Sequence, residues 1–254
     1  MKSAFNRVYA DYLMPSRLAE YETLLITAKE AGYSHMSVRS FSRGTTEKRV
    51  LVHRHDIDSD LRTAHKMFDL ECKHHVRASY YFRLRTLDIG FMREIEATGS
   101  EASYHYEEVA DFAKEHHLHD PVEVRRHFPE IQERFAINVA RITKSLGRPL
   151  TTVASHGDFA NRKLKVINHE LIADPMLRRR CGIEFDTYDD DLMRQFDTYI
   201  SDQKYPVYFK PIPPLQALRQ HQRICLLTHP VQWETNWIDN TRCNVNRLLQ
   251  GLWW

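Results

Sequence analysis

Residues 49–58 read RVLVHRHDID, an apolar run that turns polar and closes on two aspartates one residue apart. If the run is a strand, alternation sends Asp56 and Asp58 to one face with Val52 and Arg54, and His53 and His55 to the other. Two carboxylates side by side repel unless a proton or cation sits between them, and a divalent metal is the obvious cation. The plainer reading is a pair of solvated loop acids, or an ion pair with Arg54.

Histidines recur at the ends of other apolar runs: His105 after ASY, His156 after TTVAS and His229 after LLT. Imidazole suits zinc and similar ions better than magnesium or calcium, so Asp and His together point to zinc-like chemistry. His229 also has the ordinary pKa of a general acid working near neutrality. For any one of these, a core or loop histidine with a satisfied hydrogen bond is an equal reading, and the inference rests on their joint recurrence. The HHLH stretch at 116–119 falls at a predicted helix end ahead of a loop and reads as a solvated connection.

The elements that must position these groups follow from periodicity. Strands are expected at 49–58, 77–85, 101–106, 150–156, 182–188, 198–202 and 223–229. Helices are expected at about 60–75, 87–96, 109–117, 122–146, 162–179 and 215–222, the longest opening on the capping sequence Asp120-Pro121-Val122-Glu123. Pro15 and Ser16 open an amphipathic covering helix in which Leu18, Tyr21, Leu25 and Ala28 share a face, and Gly32 stops it. Alternating strands and helices imply an α/β fold with parallel strands. Periodicity alone does not separate an open doubly wound sheet from a barrel. Polar residues at the ends of at least four strands favour a distorted (β/α) barrel of about seven strands, because barrel strand ends converge on one mouth. Residues 1–254 are expected to form one domain, with 1–48 a covering helix and loop and 234–254 a helical closure in which Leu248, Leu249, Leu252 and the final Trp pair close the barrel bottom or a subunit contact.

Composition narrows the functions. The chain has 254 residues, 42% hydrophobic and 28% charged, with a formal net charge of +2. That is a globular composition with no field strong enough to hold nucleic acid. No apolar run approaches the roughly 20 residues that span a bilayer, and charges interrupt the first residues where a signal peptide needs a greasy segment. A cytoplasmic location is expected. Cys72, Cys181, Cys225 and Cys243 form no CxxC pair and read as free thiols.

Taken in order, these motifs resemble the metal-dependent polysaccharide deacetylases, carbohydrate esterase family 4 and its relatives, over roughly residues 49–233. HDID is followed about twenty residues later by Ala78-Ser79-Tyr80-Tyr81-Phe82, like that family's Ala-Thr-Phe-Phe strand. Gly99, Glu101 and His105 match its Gly-His-Glu-Ile-Gly-Asn-His element, and Leu226-Leu227-Thr228-His229 is similar to its late Leu-x-x-His. The resemblance implies hydrolysis of an N- or O-acetyl group from a sugar, with Asp58 and His105 as metal ligands, Asp56 as base and His229 as acid. The Asp-x-Asp spacing differs from the family's adjacent pair, which leaves the roles of Asp56 and Asp58 interchangeable. Val109 stands where the second His of the family's His-x-x-x-His should be. His156 in SHGD is the candidate third ligand, with Glu108 or Asp158 behind it.

Arg54, on the acid face, is expected to orient the base. Arg83, with Tyr81 beside it, is a candidate for a uronate or nucleotide phosphate, and Asp158 for another substrate contact. The partner expected is a nucleotide-linked or lipid-linked sugar or a glycan under assembly, in the setting of bacterial surface-polysaccharide or O-antigen biosynthesis; oligomers are compatible with this. The competing reading is a catalytically silent carbohydrate-binding barrel that has lost a metal ligand. Hydrolysis of another amide, such as a formyl group, would use the same site.

Overall fold

The computed structural model describes residues 2–253, with side chains from 5 to 249. Nine strands make one sheet: β1 (Ser34–Met36), β2 (Val50–Ile57), β3 (Ser79–Phe82), β4 (Glu101–Tyr106), β5 (Thr152–Ser155), β6 (Phe185–Asp186), β7 (Thr198–Asp202), β8 (Phe209–Lys210) and β9 (Arg223–Thr228). All seven expected runs become strands. β1 and β8 are additional, and with 3 and 2 residues they are too short for alternation to register.

The sheet order is β6-β5-β4-β3-β2-β9-β7-β8, with β1 beside the first half of β2. Every pairing is parallel except β7 with β8. This is an α/β fold, its sheet curled into a distorted (β/α) barrel; among the described residues no pairing joins β6 to β8. Parallel alignment puts the C-terminal ends of β2, β4, β5, β7 and β9 along one rim, the rim that carries the polar residues.

Alternation divides the apolar residues into two layers. Tyr80, Phe82, Tyr104 and Tyr106 face outward, where they pack with Phe91 and Phe135 from the surrounding helices. Burying each such ring contributes roughly 1.5–3 kcal/mol. Inside the barrel a smaller cluster of Val50, Val52, Tyr81 and Ala154 meets Val38 and Phe41. Those last two belong to the short helix Val38–Ser42, capped by the Ser37 side chain. Its first backbone N–H groups donate into the strand starts, from Val38 to Ser79 Oγ at 2.7 Å and from Arg39 to Glu101 Oε2 at 2.8 Å.

That helix plugs the barrel bottom. The C-terminal helix Trp237–Trp253 does not: Asn240 Nδ2 donates to the Asp11 carbonyl at 2.7 Å, and Asn244 and Arg247 line a cavity over the opposite end. Leu248 and Leu249 are 68% and 47% exposed, so the expected apolar closure of the bottom is not what this helix provides. Leu252 and the final Trp pair lie outside the described side chains.

Two long helices were also expected to be continuous and are not. The stretch 122–146 is divided into Pro121–Arg126 and Phe128–Leu146. Pro129 has no N–H to give to a preceding turn, so it sits at the start of a new helix. The stretch 162–179 becomes Phe159–Leu164, a 3-10 turn Asn168–Ile172 and Pro175–Cys181. Lys165 adopts a left-handed conformation that ends the first piece, and Asp174 caps the last by accepting from Met176 N. Among the described residues no helix is long and apolar enough to cross a membrane.

Candidate metal centre

Three side chains from three strand ends converge on the rim. His105 Nε2 lies 3.4 Å and His156 Nε2 3.3 Å from Asp58 Oδ1. Donor atoms of all three residues lie within 4.8 Å of one another. Ligands held at about 2.0–2.1 Å by a tetrahedral ion stand roughly 3.3–3.4 Å apart, so these are the separations such an ion imposes. Asp58 Oδ1 is buried and has no hydrogen-bond partner, which costs free energy unless something positive meets it. The residues fit a divalent cation.

The imidazoles are set for that role by what their other nitrogens touch. His105 Nδ1 donates to the Ala154 carbonyl at 2.9 Å, an arrangement that leaves a lone pair on Nε2. His156 Nδ1 lies 3.3 Å from Glu107 Oε2. Burial opposes ionisation of Asp58, yet His156 and His105 hold its carboxyl well below the usual range. Burial would likewise lower His156, and Asp58 and Glu107 raise it instead.

Asp56 stands beside this group and is held differently. Both its oxygens are taken by Arg54, from Nε at 2.9 Å and Nη2 at 2.7 Å, while Oδ2 is also 3.4 Å from His105 Nε2. Burial pushes its carboxyl up, and Arg54, His105 and His229 together bring it below the ordinary range. Arg54 is itself fully buried, its guanidinium 4.5 Å from the ring of Tyr188 and 5.8 Å from that of Tyr81. An arginine can be carried there only because a carboxylate and two ring faces receive it.

Across the mouth, His229 follows β9. Its Nδ1 lies 2.6 Å from Asp202 Oδ1, and its backbone N donates to Asp202 Oδ2 at 2.7 Å. Trp233 Nε1 donates to the same Oδ2 at 3.0 Å. Burial alone would lower His229, but Asp202, with Asp58 and Asp56 beyond it, raises it to about 9.

The remaining expected residues are placed as follows. Asp158 borders the cavity and caps the helix Phe159–Leu164 through Ala160 N at 2.9 Å. Arg83 also borders the cavity, but its guanidinium is committed to both oxygens of Glu107. Tyr81 is completely buried, with its hydroxyl 2.8 Å from Thr152 Oγ1; it supports Arg54 and has no face free for a sugar. Glu108, the reserve ligand, points away, accepting from Tyr104 at 2.6 Å and Asn138 at 3.0 Å, and burial pushes its carboxyl up to about 7. Val109 is buried in the outer core. The histidines of the 116–119 stretch are exposed.

Sequence reasoning missed Glu107 and Asp202. Glu107 follows the SYHY run directly, and Asp202 ends the TYISD strand, so the strand-end rule that found the histidines also marks these acids.

A parallel barrel with a two-histidine, one-carboxylate group at its mouth, a salt-bridged aspartate beside it and an aspartate-held histidine opposite is the class of site this chain presents. No family model matches the sequence, and no curated protein matches it. Among solved structures the chain is similar to a wild-type CE4 family pseudoenzyme from Bacillus anthracis, at 13% identity and TM-score 0.44, covering 80% of this chain and 62% of that one. It is similar also to a mutant of the same protein, a CE4 family pseudoenzyme with restored enzymatic activity, at 13% identity and TM-score 0.42, covering 80% and 64%. This chain thus spans less than two thirds of either.

Proposed function

We propose that the protein is a metal-dependent hydrolase that removes an acetyl group from the nitrogen or oxygen of a sugar. The observation that carries this is the convergence of Asp58, His105 and His156 beside an Arg54-bound Asp56 and opposite an Asp202-bound His229. Asp58 and the two Nε2 atoms hold a divalent ion, zinc by the preference of an Asp/His donor set. Such an ion supplies Lewis acidity, polarising an acyl carbonyl and lowering the pKa of water.

The rest of the chemistry belongs to the chain. Asp56, kept ionised by Arg54, accepts the proton of the attacking water. Its two hydrogen bonds to a fixed guanidinium orient it, and the strand alternation that places it beside Asp58 brings it within reach. His229, protonated at neutral pH, gives its proton to the departing amine or alcohol. Asp202 fixes the ring through Nδ1, so Nε2 is the nitrogen presented to substrate. Asp58 takes the ligand role and Asp56 the base role, because both oxygens of Asp56 are already occupied by Arg54 and Asp58 Oδ1 is not.

A carbohydrate substrate is supported by the motif resemblance and by the polar cavity of about 620 Å³ over the cluster, bordered by Asp158, Asn240 and Asn244. A place in surface-polysaccharide assembly is part of the same proposal. The test is release of acetate from N- and O-acetylated sugars by zinc-loaded protein, with Asp56→Asn as the comparison. Turnover that falls at least a hundredfold in the variant supports the reading, given the 10²–10⁴ typical of a general base. Turnover equal in both would refute it.

A further inference from the structure

The cavity over the metal group has an unusual charge arrangement. Three of its arginines, Arg85, Arg162 and Arg247, have no carboxylate within ion-pair distance among the described residues, although all three border the same space. Elsewhere in the site arginines are neutralised: Arg54 by Asp56 and Arg83 by Glu107. Of the acids that share the cavity, Asp11 is offset by Lys204 at 2.5 Å and Asp158 by Lys114 at 3.4 Å, while Asp58 faces His105 and His156.

Two of the three free guanidiniums are anchored to the metal group's own backbone. Arg85 donates from Nε and Nη2 to the Asp58 carbonyl at 3.1 and 2.7 Å, which takes up two of its three nitrogens. Arg162 donates from Nη1 to the Gly157 carbonyl at 3.1 Å, next in sequence to His156, and keeps Nε and Nη2. Carbonyl anchors fix a guanidinium without cancelling its charge. Arg247 enters from the C-terminal helix, which closes over the same cavity.

Building on the hydrolase reading, we infer that Arg85, Arg162 and Arg247 form a phosphate subsite, so that the acetylated sugar is presented on a phosphoryl or diphosphoryl carrier. Guanidinium forks suit phosphate oxygens, and preset donors hold them with little ordering cost. The residue singled out for this purpose in the sequence, Arg83, is spent on Glu107, and the role passes to Arg85, two positions on.

The experiment is calorimetric titration of inorganic pyrophosphate into wild-type protein, Arg162→Ala, Arg247→Ala and Asp58→Ala. All three arginines are exposed, so the folded state should survive their loss, and circular dichroism checks it. Each arginine variant is expected to weaken pyrophosphate about tenfold, the size of one charge-assisted contact, while methyl N-acetylglucosaminide, which is neutral, binds as before. Pyrophosphate affinity unmoved by either substitution overturns the subsite. Asp58→Ala separates the two readings. Arginine-dependent pyrophosphate binding that persists in Asp58→Ala, with no acetate released by wild type from any sugar, leaves the subsite standing while the hydrolase reading falls. Acetate release without arginine-dependent binding does the reverse. Uridine diphosphate, set against phosphatidylcholine vesicles containing phosphatidic acid, distinguishes a nucleotide from a lipid carrier: arginine-dependent binding of either supports the subsite, and of neither counts against it.

Discussion

The two faces of β2 carry the same kinds of residue and use them in opposite ways. On the outer face, His55 Nδ1 lies 2.6 Å from Thr228 Oγ1 and its Nε2 2.7 Å from Glu71 Oε1. Glu71 also accepts from Tyr21 at 2.5 Å and from Tyr80, and His53 Nε2 lies 2.7 Å from His35 Nδ1. Every polar atom of His55 and Glu71 is therefore matched, and the network is a structural one that ties the helix Leu61–His74 to the sheet. On the inner face, Asp58 Oδ1 and Arg54 Nη1 are buried without partners. A histidine and an acid in a strand do not mark a site by themselves. The outer network leaves one imidazole nitrogen over, His35 Nε2; what marks the inner site is an unpartnered acid oxygen that faces two imidazole nitrogens at 3.3–3.4 Å.

The sharpest way to break this contrast is to remove one group from each face. Asp58→Ala is expected to lower turnover of the zinc-loaded protein more than roughly a thousandfold, and in metal-free protein to cost less stability than the loss of His55, since Asp58 Oδ1 faces His105 and His156 without a hydrogen bond from either. His55→Ala is expected to do the opposite, costing about 1–3 kcal/mol by removing one of the three partners of the buried Glu71 and the partner of Thr228, with metal content unchanged. Chemical denaturation and metal analysis read both. A stability loss in Asp58→Ala as large as that in His55→Ala would erase the distinction between the faces.

A smaller effect concerns pH. His229 keeps its proton up to about 9, so turnover should hold through neutrality and decline through that region. Asp202→Asn removes the carboxylate chiefly responsible and should bring the alkaline limb down toward the ordinary histidine value near 6.5, with a roughly tenfold to hundredfold loss above neutrality. The sign for stability is the same: a histidine raised on folding contributes fully below its unfolded pKa, and that contribution is lost as pH rises through about 9. A pH–rate profile unchanged in Asp202→Asn would remove His229 from the acid role.

The smallest expected effect is on the outer face. Tyr21→Phe deletes one donor to Glu71 and should cost about 1 kcal/mol, a shift of roughly 2–4 °C in melting temperature for a chain of this size. Turnover should be unaffected.

Much of this was legible in the sequence, and the reasons for the rest are physical. Alternation along 49–58 separated Arg54, Asp56 and Asp58 from His53 and His55 correctly, because a strand has only two faces. The strand-end rule gathered His105, His156 and His229, because parallel strands share a direction. Pairing was beyond it: that Arg83 would be consumed by Glu107, that Tyr81 would lie under Arg54, and that Asp202 would hold His229 depend on the register between strands. The position of the C-terminal helix was also hidden, since Ile238, Leu248 and Leu249 remain exposed and its contacts run through Asn240 and Asn244.

The central claim is that the orphaned oxygen of Asp58 exists to meet a cation held with His105 and His156. Metal content of protein loaded with zinc and then desalted tests it most directly. One equivalent per chain in wild type, lost in Asp58→Ala, His105→Ala and His156→Ala and kept in His55→Ala, is the result expected. Zinc retained equally by all four variants, or held by none of the proteins including wild type, would contradict it.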